Sequence, residues 1–551
     1  MHSNLGTSSE SALRIGVDVR RFPWIRRLAA DYAYDFGSVA PFFAGNPATS
    51  ASWADAIRRT QAHDRRRQDI AALIAAQQRR RAAPPAALDA GARLADPRTV
   101  AVLTGQQAGL FGGPLFTLLK ALTALKLAAR VSREHGVPAV AIFWIDAEDH
   151  DWEEVRTCEV LDQGLAPRKV SLPAHDGAAH VPVAQVKLDA SIAAALVELN
   201  DSMPPTEFRD ALLDQLRAAY APGRGMAEAF GRWLEAILGP RGLIVYDASD
   251  PAAKPLVGHV FVREITMPGE TARLASEAGA ELLARGYHAQ VHPQDGSLAL
   301  FHLDGGRRAI RRQDDRFLVA EASHSPAELL KQATERPEGF SPNVLLRPIV
   351  QDTLFPTICY VAGPNELGYL GQLRGVYGHF GVPMPLMYPR ATATLLDSAA
   401  LRFLTRYKLP LEQLQPQDEA ALNHLLQSQI PQSVEDALQD AARAVNEHME
   451  RVIGSVPMVD PTLEGAARST LGRIQHDLRT LHTKMIQAAK RRDETLRRQF
   501  MHARALAFPG GHAQERTVGF LYFLNQYGPA LVDRLDEELP LGMGQHWVVT
   551  I

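Results

Sequence analysis

Val100-Ala101-Val102-Leu103-Thr104-Gly105-Gln106-Gln107, followed at 139–151 by Ala139-Val140-Ala141-Ile142-Phe143-Trp144-Ile145-Asp146-Ala147-Glu148-Asp149-His150-Asp151, decides the fold. Each segment opens with a short apolar run, 100–103 and 139–145, the signature of a strand buried in a parallel sheet. Between them lies Ala108-Gly109-Leu110-Phe111-Gly112-Gly113-Pro114 and then Leu115, Leu118, Leu119, Leu122, Leu125 and Leu127, with Lys120 and Lys126 among them. That spacing predicts a largely buried helix, with Pro114 suited to its first turn. Strand, helix and strand make a βαβ unit, which crosses over right-handed. Such sheets bind ligands at the carboxyl ends of their strands, where both polar segments fall.

Two chemistries are open at that end. The glycine turn is neither G-x-G-x-x-G nor a P-loop, so it serves either as a close-approach surface for a ligand or only as a turn. The adjoining Thr104, Gly105, Gln106, Gln107 and Gly109 are candidate substrate contacts, because paired amides read polar edges. The cluster 146–151 holds four carboxylates and one imidazole. Crowded acids repel, which raises at least one pKa. Glu148, Asp149 and His150 are therefore candidate acid/base groups, and Asp146 a candidate substrate contact. A metal site is an alternative, though the H-E-x-x-H spacing and a Cys/His cluster are missing. A third reading is an acidic loop that caps the next helix.

Outward from this unit, 551 residues exceed one ordinary domain, and 46% hydrophobic residues describe a globular chain. The net charge of −3 gives no pull toward nucleic acid or anionic membrane. Arg-rich pieces at 58–59, 65–67 and 79–81 lack interleaved aromatics and read as solvated helix faces. Residues 1–12 are small and polar and are expected to fray. Neither a signal peptide nor a membrane-spanning stretch is evident, which predicts a cytoplasmic protein. Cys158 and Cys359 lie far apart and read as small core residues.

The organisation predicted is a first part of a parallel α/β core at 1–159, including a helical N-terminal segment. A first inserted subdomain covers 160–235, core again 236–285, and a second, hairpin-rich insertion 286–340 with Gly305-Gly306 as a turn. The last part of the core is 341–405. There Ile358-Cys359-Tyr360-Val361-Ala362, the turn Gly363-Pro364-Asn365-Glu366, a helix over 366–380 and the strand 383–387 form a second βαβ unit. Gly363 and Asn365 can face an anion, and Glu366 an amine. Arg347 and Arg390 either hold a carboxylate through paired N–H bonds or tie strand ends to neighbours. A helical domain follows at 406–514. Val434, Leu438, Ala441, Val445 and Val452, and then Leu471, Ile474, Leu478, Leu481, Met485 and Ala488, repeat near 3-4 spacing. This predicts an antiparallel coiled-coil hairpin, with the basic run Lys490-Arg491-Arg492 on a solvated face. The segment 515–551 returns to the core as a helix and a final strand.

Several of these segments resemble the BshC family of bacillithiol biosynthesis. They are Thr104-Gly105-Gln106-Gln107-Ala108-Gly109, Phe143-Trp144-Ile145 through Asp151, Ser341-Pro342-Asn343 with Leu346-Arg347-Pro348 and Gln351, Phe355-Pro356-Thr357, Gly363-Pro364-Asn365-Glu366 and Pro389-Arg390. Asn365 departs from the Gly expected in that turn. The resemblance implies an α/β, Rossmann-like parallel-sheet core with two inserted connecting subdomains and a C-terminal antiparallel coiled coil used to form a homodimer. It implies a ligase that joins L-cysteine to the amine of glucosaminyl malate, with ATP or ADP and magnesium as expected cofactors. Asn343, Arg347 and Gln351 join the expected substrate contacts on this ground. A nucleotide-binding scaffold that recruits a partner and a metal-dependent amide hydrolase remain alternatives.

Overall fold

The computed structural model describes residues 14–174, 181–294, 296–303, 306–428, 432–492 and 494–551, with backbone alone over 489–492. The expected frayed start, Gly305, and the side chains of Lys490, Arg491 and Arg492 lie outside this description. The chain divides into two compact units, Met1–Leu395 with Gln514–Val549, and Leu396–Ala513.

The first unit is built on a five-stranded parallel sheet. Its strands are β1 (Val100–Gln106), β2 (Ala139–Ile145), β3 (Ile244–Asp247), β4 (Thr357–Ala362) and β5 (Leu386–Pro389), in spatial order 3-2-1-4-5. β1 and β2 pair in register from Val100↔Ala139 to Gln106↔Ile145. Every residue of β2 is buried, as is β1 up to Gly105, which explains their unbroken apolar runs. The crossover helix Leu115–His135 packs on both strands. From β1 the chain proceeds to β2 on one side, and its later neighbour β4 lies on the other. The carboxyl ends of β1 and β4 are therefore the switch point of the sheet.

The glycine turn is a packing device. Phe111, Gly112 and Gly113 all have positive φ, and a Cβ on Gly112 would sit 2.4 Å from the Phe520 ring and 2.8 Å from Trp233 Nε1. Only glycine fits there.

The insertions differ in detail from expectation. In the first, Thr157–Leu161 and Pro167–Ser171 form an antiparallel pair. Its expected end at 235 cuts the helix Met226–Leu238, which is continuous and packs on β3, and whose Phe230 lies 6.0 Å from Phe143 of β2. That helix belongs to the core. The single helix expected near 253–285 is two, Lys254–Thr266 and Glu270–Ala284, because Pro268 and left-handed Gly269 break it. The second insertion is a five-stranded antiparallel sheet that includes Ser297–His302, Arg308–Gln313 and Phe340–Pro342. The helix expected over 366–380 is likewise two, Glu366–Leu370 and Arg374–Phe380. The final strand Gln545–Thr550 pairs with an unexpected N-terminal strand, Arg14–Asp18, in a separate three-stranded sheet.

The second unit begins at Leu396, not 406. Helix Ser398–Tyr407 buries Ala400, Leu401, Phe403 and Leu404 within it, and Phe403 meets Phe500 edge-on at 6.3 Å. Helices Gln432–Ser455 and Leu463–Arg492 form the hairpin. Gln475 donates to Asn446 at 2.8 Å and His482 meets Glu435 at 3.1 Å, so the helices run antiparallel. The seam is shifted from the expected one. Ile453 is buried while Val452 is exposed, and Leu481 yields to His482. Among the described residues, no helix is long and apolar enough to cross a membrane.

Candidate active site

Three layers of charge meet at the carboxyl ends of β1, β2 and β4. The first lies at the switch point. Lys120, on the crossover helix, is buried and donates from Nζ to the Gly105 carbonyl (2.8 Å) and Gln106 Oε1 (3.2 Å). It also pairs with Glu366 Oε2 at 2.8 Å. The same carboxylate accepts the Gly363 N–H, and Tyr360 donates to its other oxygen at 3.3 Å. Burial pushes the Glu366 carboxyl up, but the Lys120 charge outweighs it and the group sits below its ordinary range. Burial lowers Lys120.

The second layer centres on Arg347. Its Nη1 donates to Gln351 Oε1 at 2.9 Å and its Nη2 to the Tyr369 hydroxyl at 3.3 Å. Its Nε lies 4.0 Å from Asp146 Oδ2. The guanidinium also lies 5.8 Å from the Trp144 ring and 5.7 Å from Tyr360, a cation–π arrangement. Burial pushes Asp146 up, against the pull of Arg347.

The third layer is the acidic loop. Asp149 Oδ2 accepts from Gln107 Nε2 at 2.7 Å. Its Oδ1 accepts from the His150 backbone N–H at 2.8 Å and from Arg307 Nη1 at 3.0 Å. His150 Nδ1 lies 3.4 Å from that oxygen and 3.3 Å from Arg307 Nη1. Glu148 pairs with buried Lys254 and accepts from Ser341 Oγ at 3.3 Å.

Thus Gln106, Gln107, Asp146, Glu148, Asp149, His150, Arg347, Gln351, Gly363 and Glu366 are brought to one end of the sheet. Other candidates are used internally. Thr104 donates its hydroxyl to the Val361 carbonyl at 3.0 Å and stitches β1 to β4. Gly105 is required by packing, since a Cβ would meet the Trp144 carbonyl at 2.8 Å. Gly109 accepts from the Tyr220 hydroxyl at 3.3 Å, inside the packed turn. Asn343 Oδ1 accepts the N–H groups of Leu345 and Leu346, so it braces the turn into helix Arg347–Leu354. Asn365 is exposed, with φ −80°, so its departure from Gly strains nothing. Of the two readings of Arg390, the contacts show the tie to a neighbour. Both Nη atoms are committed to Glu515, at 2.9 and 2.7 Å, which satisfies its fork without a substrate carboxylate.

Sequence reading missed Arg307 and Lys254 and left Lys120 as a helix residue. The signal for Lys120 was present, a charge amid leucines of a buried helix. Arg307 and Lys254 come from the second insertion and from the helix after β3, and only folding brings them to the acidic loop.

The acids of 146–151 face separate cations, and Asp151 caps the helix Trp152–Val155 by accepting the Glu154 N–H at 3.1 Å. Among the described residues, no group of three or more His, Cys, Asp or Glu is placed to hold a metal ion. The glycine turn does not fit a nucleotide phosphate. Its Gly109, Gly112 and Gly113 N–H groups donate to Gln107, Gly109 and Leu110 carbonyls, and the space above Gly112 is filled by rings. Cys158 and Cys359 are free and buried; burial pushes the Cys158 thiol up to about 12 and Cys359 further, so neither is a ready nucleophile.

The chain matches two family models, "Bacillithiol biosynthesis BshC, N-terminal Rossmann-like domain" over residues 17–391 and "Bacillithiol biosynthesis BshC, C-terminal coiled-coil domain" over 393–551. It is 34% identical over 536 residues to the "Putative cysteine ligase BshC" of Salinibacter ruber, covering 95% of this chain and 96% of that protein. It is 33% identical to the protein of the same name from Koribacter versatilis, over 79% and 81% of the two chains. Among solved structures, the "putative arginyl t-RNA synthetase from Campylobacter jejuni" aligns over 81% of this chain and 94% of its own. That alignment has 11% identity and a TM-score of 0.23, too slight a likeness to inform the fold. With both family models matched and a parallel sheet of order 3-2-1-4-5 beneath the site, the chain belongs to the BshC family of bacillithiol biosynthesis.

Proposed function

We propose that this protein is a cysteine ligase that forms an amide between the carboxyl of L-cysteine and the amine of glucosaminyl malate, in the last step of bacillithiol biosynthesis. The observation that carries the reading is the gathering of Gln107, Asp149 and His150 over the ends of β1 and β2, in a chain aligned along nearly its whole length with relatives named cysteine ligases. Amide formation needs an activated carboxyl, a neutral attacking amine and a group to receive its proton. Asp149 and His150 are the groups suited to the last task. Gln107 orients Asp149, and Gln106 with Asn365 can read the hydroxyls of the sugar. Glu366, held ionised by Lys120, is suited to meet an ammonium group on substrate entry.

ATP with magnesium is the activator proposed for the cysteine carboxyl. The glycine turn does not fit its phosphates. Free, buried cysteines accord with a reducing cytoplasm. The half-exposed apolar side chains Val434, Val452 and Leu481 on the coiled coil suit a homodimer. Among the described residues, no contact at the site favours a scaffold role or a metal-dependent hydrolase.

The test is mass spectrometry of purified protein with glucosaminyl malate and L-cysteine, with and without ATP and magnesium. The expected result is a product one water lighter than the sum of the two substrates, formed only with ATP. Absence of that product with ATP and magnesium present would overturn the reading.

A further inference from the structure

Arg307 reaches the acid/base pair from the second insertion through a buried side chain. Nine-tenths of that side chain is buried. Its Nη2 donates to the Pro342 carbonyl at 3.0 Å, and its guanidinium lies 4.1 Å from the Phe301 ring centroid. Pro342 and Phe301 belong to paired strands of the insertion sheet, so the sheet fixes the guanidinium plane. Nη1 then meets both Asp149 Oδ1 and His150 Nδ1.

A guanidinium can only donate. The ring nitrogen that faces it must present a lone pair. The competing arrangement, with Nδ1–H donating to Asp149 Oδ1, is longer at 3.4 Å, and that oxygen already accepts from the His150 backbone and from Arg307. From this geometry we infer that Arg307 is a positioning residue that fixes neutral His150 as the Nε2–H tautomer, which makes the imidazole a hydrogen-bond donor and leaves the base role to Asp149.

The count of lone pairs on Asp149 agrees. An ionised carboxylate has about four acceptor positions. Three are taken by Gln107, Arg307 and the His150 backbone, which leaves one, on the oxygen that faces Gln107. That position can receive one proton from the attacking amine. His150 then carries its ring proton on Nε2 and is a donor there. The catalytic roles rest on the ligase reading; the tautomer does not.

The experiment is long-range 1H–15N correlation spectroscopy on full-length protein labelled with 15N-histidine, with the His150 signals assigned by their loss in His150→Gln. No substrate is present. The expected result is a protonated Nε2 and an unprotonated Nδ1 in the neutral wild-type ring. In Arg307→Ala the donor facing Nδ1 is gone while Asp149 Oδ1 stays 3.4 Å from it, and the proton moves to Nδ1. A wild-type ring protonated on Nδ1 would overturn the inference without need of any variant. An unchanged tautomer in folded Arg307→Ala would overturn it too. Failure of the product assay with the expected tautomer in place counts against the ligase reading alone.

Discussion

Two arginine–carboxylate pairs in the first unit show how the same chemistry can serve opposite ends. Arg390 and Glu515 form a closed fork, both nearly inaccessible, with Glu515 also accepting the Ala393 N–H at 3.0 Å. Arg307 and Asp149 share a single contact, Asp149 remains 29% exposed, and a histidine and a glutamine complete its shell. The sealed pair fixes where β5 ends. The open pair has unsatisfied capacity facing the carboxyl ends of the sheet, where ligands of such folds bind. Two buried charges that satisfy each other are structure, and a charge pair with a titratable neighbour and one side open is a candidate for chemistry.

The comparison breaks first at Arg390. Arg390→Ala strands Glu515 in a buried site and is expected to cost about 3–5 kcal/mol of stability. A urea unfolding midpoint unchanged from wild type would mean that the pair is not structural.

Lys120 tests the boundary between the two kinds of pair. Paired Glu366 lies below its ordinary value, so its contribution is full above the unfolded carboxylate pKa of about 4.3 and is lost as pH falls through the lower folded value. In Lys120→Met burial dominates and the folded pKa of Glu366 rises. The variant should then be less stable than wild type by about 1–3 kcal/mol at neutral pH, and the gap should narrow on acidification as Glu366 takes up a proton. Unfolding midpoints at about pH 4.5 and about pH 7.5 measure this. A gap that widens on acidification would contradict the assignment.

The smallest effect is expected at Asn365. Its φ of −80° is ordinary, so Asn365→Gly gains no relief of strain and should lower the stability by no more than about 0.5 kcal/mol, read from urea unfolding. A clear gain in stability would show that the position does favour glycine.

The parallel core was legible because β1 and β2 are buried on both faces and carry apolar runs that leave little choice of period. The strand-end polar segments followed from the direction of the βαβ unit. Asn343 is spent on a local turn, the N–H groups of Leu345 and Leu346. The role of Thr104 was not legible and that of Arg390 stayed open between two readings, because each is decided by a partner far along the chain, Val361 and Glu515. The same holds for Arg307, whose reach to Asp149 depends on the register of a distant sheet. In the coiled coil, near-heptad spacing revealed the hairpin but not its seam, since alanines at 441 and 442 and the His448-Met449 pair permit either neighbour to face inward.

The most direct test of the account is to measure product formation and urea unfolding together in Asp149→Asn. That change removes the base and keeps the shape. The account predicts a fall in turnover on the order of 10²–10⁴ with an unfolding midpoint close to that of wild type. Near-normal turnover in the folded variant would contradict it, and the chemistry would have to be sought away from the ends of β1 and β2.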